Sequence, residues 1–208
     1  KDLQKRSKRK TWAPVIRRLN MFTSYWSVMQ PFYVVDAING IAEPFSCITH
    51  LLAAVVALMW GVRLVVRFEG SRLNRIGLGL FVFGMVNMFA MSGVFHLLEL
   101  GGAPRHVLLL LDHAGIWLMI AGSLTPIQLM LCRGWRRWGV LGFVWSATIV
   151  GIVLKTVYFD SVPEWLSLAL YFAVGWVGGS AIFEMIKQVE RRQWLLFVAG
   201  GSVYTVGA

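Results

Sequence analysis

The sequence predicts an all-α protein: a polytopic bundle of helices that cross a membrane. Of its 208 residues 57% are hydrophobic and only 14% are charged. A soluble domain of this length could not bury so much apolar surface, whereas a bilayer solvates it. The apolar residues fall into runs of about twenty, a length that crosses roughly 30 Å of hydrocarbon as a helix. We therefore expect an integral, multi-pass protein of a plasma or inner membrane.

The first forty residues are predicted to form a basic tail followed by an interfacial segment. Eight basic residues precede residue 19, and basic residues beside a membrane commonly contact anionic headgroups. We therefore expect membrane lipids, and no nucleic acid, as partners. Residues 19–40 mix Trp26, Phe32 and Tyr33 with polar neighbours, which is typical of the headgroup layer; an ordinary surface loop is the alternative. Residues 41–208 are assigned to the transmembrane bundle.

Six apolar runs follow, separated by glycine, proline and charged residues that mark turns. The first five are predicted as complete spans, at residues 44–66, 76–98, 107–131, 138–157 and 165–186. The sixth begins at Trp194 and is still apolar at Ala208, so it covers only about 22 Å as a helix. We therefore expect the natural protein to continue beyond Ala208, with this chain truncated in or after its sixth helix.

Polar side chains of the first three spans gather at one membrane face. Because successive spans alternate in direction, the start of the first span, the end of the second and the start of the third meet at the same face, which we call face A; the opposite one is face B. Ionisable groups inside a span are costly and usually mark a functional interior. The residues concerned are Glu43, Ser46, Thr49, His50, Ser92, His96, Asp112 and His113.

Asp112 is the acid with the most apolar surroundings, since it follows four leucines. A functional role is favoured, but Asp112 could also cap a helix or pair with an arginine such as Arg105. Ser92 and His96 are four residues apart and share one helix face. His96 alone is more often hydrogen-bonded to a carbonyl than bound to a metal, and His106 is expected at the headgroup boundary without a role.

Other chemistry has no signature in the sequence. It contains no phosphate-binding glycine loop and no Gly-x-Ser-x-Gly nucleophile turn. The two cysteines, Cys47 and Cys132, are predicted near opposite faces, so they cannot form a disulfide with each other.

Three stretches of the sequence resemble motifs of the hemolysin III and progestin and adipoQ receptor (PAQR) family, which is related to the alkaline ceramidases. Residues 43–50 are similar to its Glu-x-x-Asn-x-x-Thr-His, with Ser46 where Asn is usual. Residues 92–96 are similar to its Ser-x-x-x-His. Residues 111–116 and 121–126 are similar to its Asp-His-x-x-Ile run and Gly-x-x-Thr-Pro exit. The resemblance extends over residues 43–208.

The resemblance implies a fold of seven helices, of which this chain would hold six, and a site for Zn²⁺. By the matching positions, His96 would be a zinc ligand, Asp112 the catalytic residue that holds the activated water, and Ser92 an accessory catalytic residue. The family's two other histidine ligands lie in a His-x-x-x-His on helix seven, which this sequence lacks. Because a hydrolytic zinc needs three protein ligands, we expect this chain by itself to bind Zn²⁺ weakly.

The resemblance also implies a zinc-dependent hydrolase of lipid amides, or a receptor-like relative that binds lipid. The alternative is a channel-forming or cytolytic membrane protein, as the family's name suggests. A channel would need polar residues along its full depth, whereas those of this sequence gather at one end.

Charge distribution predicts the orientation of the bundle. Face-A loops after the first span contain only Arg105 and Lys155, so the positive-inside rule places face B in the cytoplasm; the basic tail argues for the opposite orientation. The basic residues at face B are Arg63, Arg67, Arg72, Arg75, Arg133, Arg136, Arg137, Lys187, Arg191 and Arg192.

Overall fold

The computed structural model describes residues 41–98 and 103–207, and nearly all of these residues lie in helices. The helices are α1 (Pro44–Arg67), α2 (Arg72–Leu97), α3 (Ala103–Leu131), α4 (Gly134–Val157), α5 (Glu164–Gly179), α6 (Ile182–Gln188) and α7 (Arg191–Gly207), with a 3₁₀ turn at Phe159–Ser161. They belong to one compact unit. The predicted all-α bundle is therefore confirmed, while the predicted tail and interfacial segment of residues 1–40 lie outside the described residues.

Among residues 41–98 and 103–207, five helical stretches are long and apolar enough to cross a membrane. They are Pro44–Arg67, Arg72–Leu97, Pro104–Leu131, Gly134–Val157 and Glu164–Gln188. Each contains most or all of one predicted span, which confirms an integral, multi-pass protein. The sixth apolar run forms α7, whose 17 residues extend about 26 Å.

Helices α1 and α2 are antiparallel. A Cβ built on Gly93 near the end of α2 would lie 2.8 Å from Leu51 near the start of α1, and one on Gly61 near the end of α1 would meet Val82. These contacts bring the start of α1 and the end of α2 to face A, as the alternation of spans predicts.

Helices α2 and α3 approach each other closely enough for their backbones to touch. A Cβ at Gly84 of α2 would lie 2.7 Å from the carbonyl oxygen of Leu118, and a Cβ at Gly122 of α3 would lie 2.7 Å from that of Leu80. Glycine at such positions lets two membrane helices pack backbone to backbone. The two contacts fix an antiparallel register that carries the start of α3 to face A.

Helix α3 is the central helix of the described bundle. Its residues supply most of a buried cluster that α4 and α5 complete: Trp117, Ile120, Ala121, Leu124, Val144, Tyr171 and Val174. Gly151 of α4 packs against Trp117, and Gly178 of α5 packs against Leu124. The same helix carries Asp112, so packing on three sides holds that residue's helix in place.

The fifth predicted span is one run in the sequence but two helices in the structure. Helix α5 ends at Gly179 and α6 begins at Ile182. The side chain of Gln128, which is 1% exposed, donates from Nε2 to the carbonyl oxygen of Gly178 at 2.9 Å. The same carbonyl also accepts the Ala181 N–H at 3.3 Å, so the Gln128 amide adds a second donor at the helix break, where the regular helical bond is lost. Apolar periodicity carries no signal for such a break.

Candidate functional site at face A

A carboxylate with two basic side chains beside it lies at the face-A end of the bundle. Glu43 immediately precedes α1. Its Oε1 accepts a hydrogen bond from Nη2 of Arg105 at 2.8 Å, and its Oε2 lies 2.8 Å from Nδ1 of His96. Glu43 therefore connects the end of α2 with the start of α3, although it belongs to neither helix.

The backbone strengthens this connection. The Glu43 N–H donates to the carbonyl oxygen of His96 at 3.1 Å. Arg105 also donates to the carbonyl oxygen of Leu98, and its guanidinium carbon lies 4.4 Å from the ring centroid of Phe95, a cation–π distance. Arg105 thus pairs with Glu43, and the alternative prediction that it pairs with Asp112 is wrong.

The ring of His96 has its Nδ1 against Glu43 and its Nε2 free. The Glu43 oxygen is close to Nδ1 of His96, but the contact does not have the alignment of a hydrogen bond. Within the described ranges no hydrogen bond occupies Nε2. The His50 ring centroid lies 5.5 Å from that of His96, and the buried Nδ1 of His50 has no hydrogen-bond partner among the described residues.

Ser92 and Asp112, the two predicted catalytic residues, lie on neighbouring helices. Ser92 is 9% exposed and lies one turn before His96 on α2. Asp112 is half-buried on α3. Residues 41–98 and 103–207 offer its carboxylate neither an ion pair nor a hydrogen bond. The predicted sharing of one water by Asp112 and His96 stays a prediction.

The described residues could supply part of a zinc site. They contain no group of three His, Cys, Asp or Glu side chains that could hold a metal ion. His96 nevertheless has part of what a ligand needs. Among the described residues its Nε2 has no hydrogen-bond partner, and its Nδ1 lies beside a carboxylate, the group to which metal-binding histidines commonly donate. A complete site would need donors from outside the described part of the chain.

The predicted position of Lys155 in a face-A loop is wrong. Lys155 is a residue of α4 that is 4% exposed, rather than a residue of a face-A loop. Its Nζ lies 5.0 Å from the ring centroid of Phe159, and the ring of His113 meets the same ring edge-on at 5.1 Å. The spacing of four residues between Lys155 and Phe159 was the available signal, since it places both on one helical face.

An apolar cavity of about 480 Å³ opens between α3, α5 and α7. Met119, Ser123, Phe172, Gly175, Leu196 and Tyr204 line it. Met119 is seven residues from Asp112 on α3, which is about 10 Å along the helix. The cavity therefore begins two turns below the polar end of α3 and extends toward face B.

The sequence profile of the family described as Haemolysin-III related matches residues 39–208. The chain belongs to this family. It is 29% identical over 168 residues to Hemolysin-3 of Bacillus cereus, an alignment that covers 80% of this chain and 76% of that protein. It is 27% identical over 168 residues to the Hemolysin-3 homolog of Bacillus subtilis (strain 168), covering 79% and 78%. No solved structure matches the chain. Membership in the Haemolysin-III related family confirms the family that the motifs of α1, α2 and α3 had indicated.

Proposed function

We propose that this protein is a membrane enzyme that hydrolyses lipid amides with the help of a zinc ion bound near face A. His96 is the zinc ligand from this chain, and the remaining donors come from beyond the described residues. A receptor-like protein that binds the same lipids without turnover would use the same site.

The observation that carries this proposal is the contact between Glu43 and His96. Oε2 of Glu43 lies 2.8 Å from Nδ1 of His96, so a small rotation of the imidazole would let Nδ1–H donate to it. A carboxylate bonded in this way fixes the ring and makes the other nitrogen a better ligand. Glu43 is itself fixed by Arg105 and by its backbone bond to the His96 carbonyl. The imidazole is therefore positioned by two neighbouring elements before any metal arrives.

The apolar cavity supports a lipid as the substrate. Its lining is mostly aliphatic and aromatic, and its volume of about 480 Å³ falls within the range of small-molecule pockets. A lipid tail in the cavity would extend along α3 and leave the headgroup end toward Asp112 and face A.

Asp112 supplies the acid–base chemistry in this proposal. Its half-buried carboxylate has no ion pair within the described ranges, so it is available to accept a proton from water and return it to the leaving amine. Zinc in such a site lowers the pKa of water toward neutrality. Ser92 lies one turn from His96 on the same face of α2 and can hydrogen-bond to substrate or water beside it.

Zinc content and amide hydrolysis test the proposal together. Protein expressed from its complete gene and purified from membranes is analysed for zinc by mass spectrometry and for cleavage of a fluorogenic ceramide. We expect His96→Ala to lose zinc and activity. Asp112→Asn should keep most of the zinc but lose activity by about 100-fold or more, because a general base contributes 10²–10⁴-fold.

His106→Ala is the matched control. The His106 side chain is exposed and its ring packs edge-on against Phe159, so zinc and activity should both be unchanged. Equal zinc loss in the His96 and Asp112 variants would make Asp112 a ligand. Unchanged zinc in His96→Ala would refute the proposed site.

Membrane lysis is the second candidate function, since both relatives carry the name Hemolysin-3. Against it, the ionisable residues of the first three spans gather at face A rather than along a pore. Release of a dye from liposomes by the purified protein distinguishes the two. Release that persists in His96→Ala would favour lysis.

A further inference from the structure

We propose that the outer surface of α1 binds the headgroup phosphate of an anionic phospholipid in the face-B leaflet. The site is a shallow groove of about 410 Å³ lined by Met59, Trp60, Val62, Arg63, Val66 and Arg67, which we call the α1 groove. The α1 groove lies apart from the face-A residues. Lipid binding there does not depend on the reaction proposed for face A.

The α1 groove lies on an exposed, apolar face of α1. Its apolar residues are strongly exposed, with Trp60 at 68%, Met59 at 67% and Val66 at 73%, and they belong to a helix apolar and long enough to span the membrane. Aliphatic side chains in such a position contact acyl chains, and Trp near the end of a span lies at the headgroup boundary. The acyl chains of a phospholipid lying along α1 would thus contact the apolar residues, and its headgroup would contact the charged residues.

The charge consists of two arginines one turn apart. Arg63 is four residues from Arg67, the last residue of α1, so its Cα lies about 6 Å inside the end of the helix. Both arginines project on the same face as Trp60. A cation this deep in a span extends its long side chain toward the interface, which would bring both guanidinium groups to the level of the lipid phosphates.

Neither arginine forms a salt bridge within the described ranges, not even with Glu69, two residues after Arg67. The salt bridges there join Glu43 to His96 and Arg105, and Glu184 to Arg136 and Lys187. A guanidinium fork binds phosphate through two parallel hydrogen bonds. A lipid phosphate is the anion present at this depth, so charge complementarity selects an anionic phospholipid over a zwitterionic one, whose own cation competes.

Native mass spectrometry of the full chain in detergent tests the site. The chain is titrated with dioleoylphosphatidylglycerol and, separately, with dioleoylphosphatidylcholine. We expect the first phosphatidylglycerol to bind more tightly than phosphatidylcholine. The double variant Arg63→Gln, Arg67→Gln should weaken binding of the first phosphatidylglycerol by about 25-fold, the product of two roughly fivefold losses, one for each basic residue near the surface.

Arg191→Gln, Arg192→Gln is the matched control, because it removes the same charge from exposed residues at face B outside the groove. The affinity of this variant for phosphatidylglycerol should stay within about twofold of the wild type, because the removed charges lie outside the binding site. Arg63→Lys, Arg67→Lys should bind phosphatidylglycerol more tightly than the glutamine pair and less tightly than the wild type, because lysine keeps the charge but lacks the fork. Equal weakening by the two glutamine pairs, or equal binding of the two lipids, would overturn the proposal.

Discussion

Oε2 of Glu43 lies 2.8 Å from Nδ1 of His96, and the side chain of His96 is 19% exposed. The first residue before α1 therefore contacts a residue in the last turn of α2. Because Oε1 of the same carboxylate binds Arg105, the arrangement of three helix ends depends on one side chain.

Replacing Glu43 with glutamine should destabilise the bundle. The amide keeps the size of the side chain but leaves Arg105, which is 11% exposed, without its counter-charge. We expect the unfolding temperature in detergent to fall by about 4–8 °C, which corresponds to a loss of roughly 2 kcal/mol. Glu69→Gln is the control, since Glu69 is exposed and forms no salt bridge with the described residues. Equal effects of the two variants would contradict the role of Glu43.

Two glycines of α2 should respond in opposite ways to alanine. A Cβ at Gly84 would meet the backbone of α3 at Leu118, whereas a Cβ at Gly79 has nothing within 4 Å. The backbone of α3 cannot move aside as a side chain can, so Gly84→Ala should lower the free energy of unfolding by about 1–3 kcal/mol. Gly79→Ala should be neutral or slightly stabilising, since alanine favours a helix more than glycine does. Thermal unfolding of the two variants measures the difference, and similar results would show that the helices can separate freely.

The thiol of Cys132, between α3 and α4, should react slowly with alkylating reagents. Burial raises its pKa above the ordinary value of 9.0, although the nearby Arg136 opposes the shift. Less thiolate is therefore present at any given pH, and the alkylation rate in a Cys47→Ala background should still be rising above pH 9. The protonated thiol stabilises the fold below the pKa of the unfolded chain, and that contribution is lost as the pH rises through the folded pKa. The same variant denatured in detergent should show the ordinary profile; identical profiles would contradict the shift.

Labelling of single cysteines should place face B in the cytoplasm. In a Cys47→Ala, Cys132→Ala background, Ser161→Cys lies at face A and Ser71→Cys lies at face B, and both positions are exposed. The excess of basic residues at face B predicts that a maleimide unable to cross membranes labels Ser161→Cys in intact cells and spares Ser71→Cys. Permeabilised cells provide the control, because both should then react. The reverse pattern would place the His96 end in the cytoplasm.

Apolar run length was enough to predict the spans. Boundaries of the first five runs agree with the helices to within a few residues, because crossing the membrane requires a minimum length that polar residues interrupt. The break between α5 and α6 was not predictable in this way. It is accompanied by a contact between Gln128 and Gly178, residues that are 50 positions apart.

The sequence predicted at which membrane face the candidate site residues lie. It did not predict which side chains contact each other. Helix periodicity placed Ser92 and His96 on one face of α2, and alternation of the spans brought Glu43 to the same end. Which acid would contact which base depends on side-chain direction at helix ends, which spacing does not encode. The sequence therefore suggested Asp112 as a partner of Arg105, whereas Arg105 binds Glu43.

The bond between Gln128 and Gly178 has a consequence for biosynthesis. Gln128 enters the bilayer with α3, but its partner carbonyl belongs to a segment that the ribosome makes 50 residues later. At synthesis rates of about 5–20 residues per second, that interval is about 3–10 s. For this time a polar amide has no protein partner in hydrocarbon, which is unfavourable. We therefore expect α3 to remain beside the insertion machinery, where water or a chaperone can solvate the amide, until α5 has been synthesised.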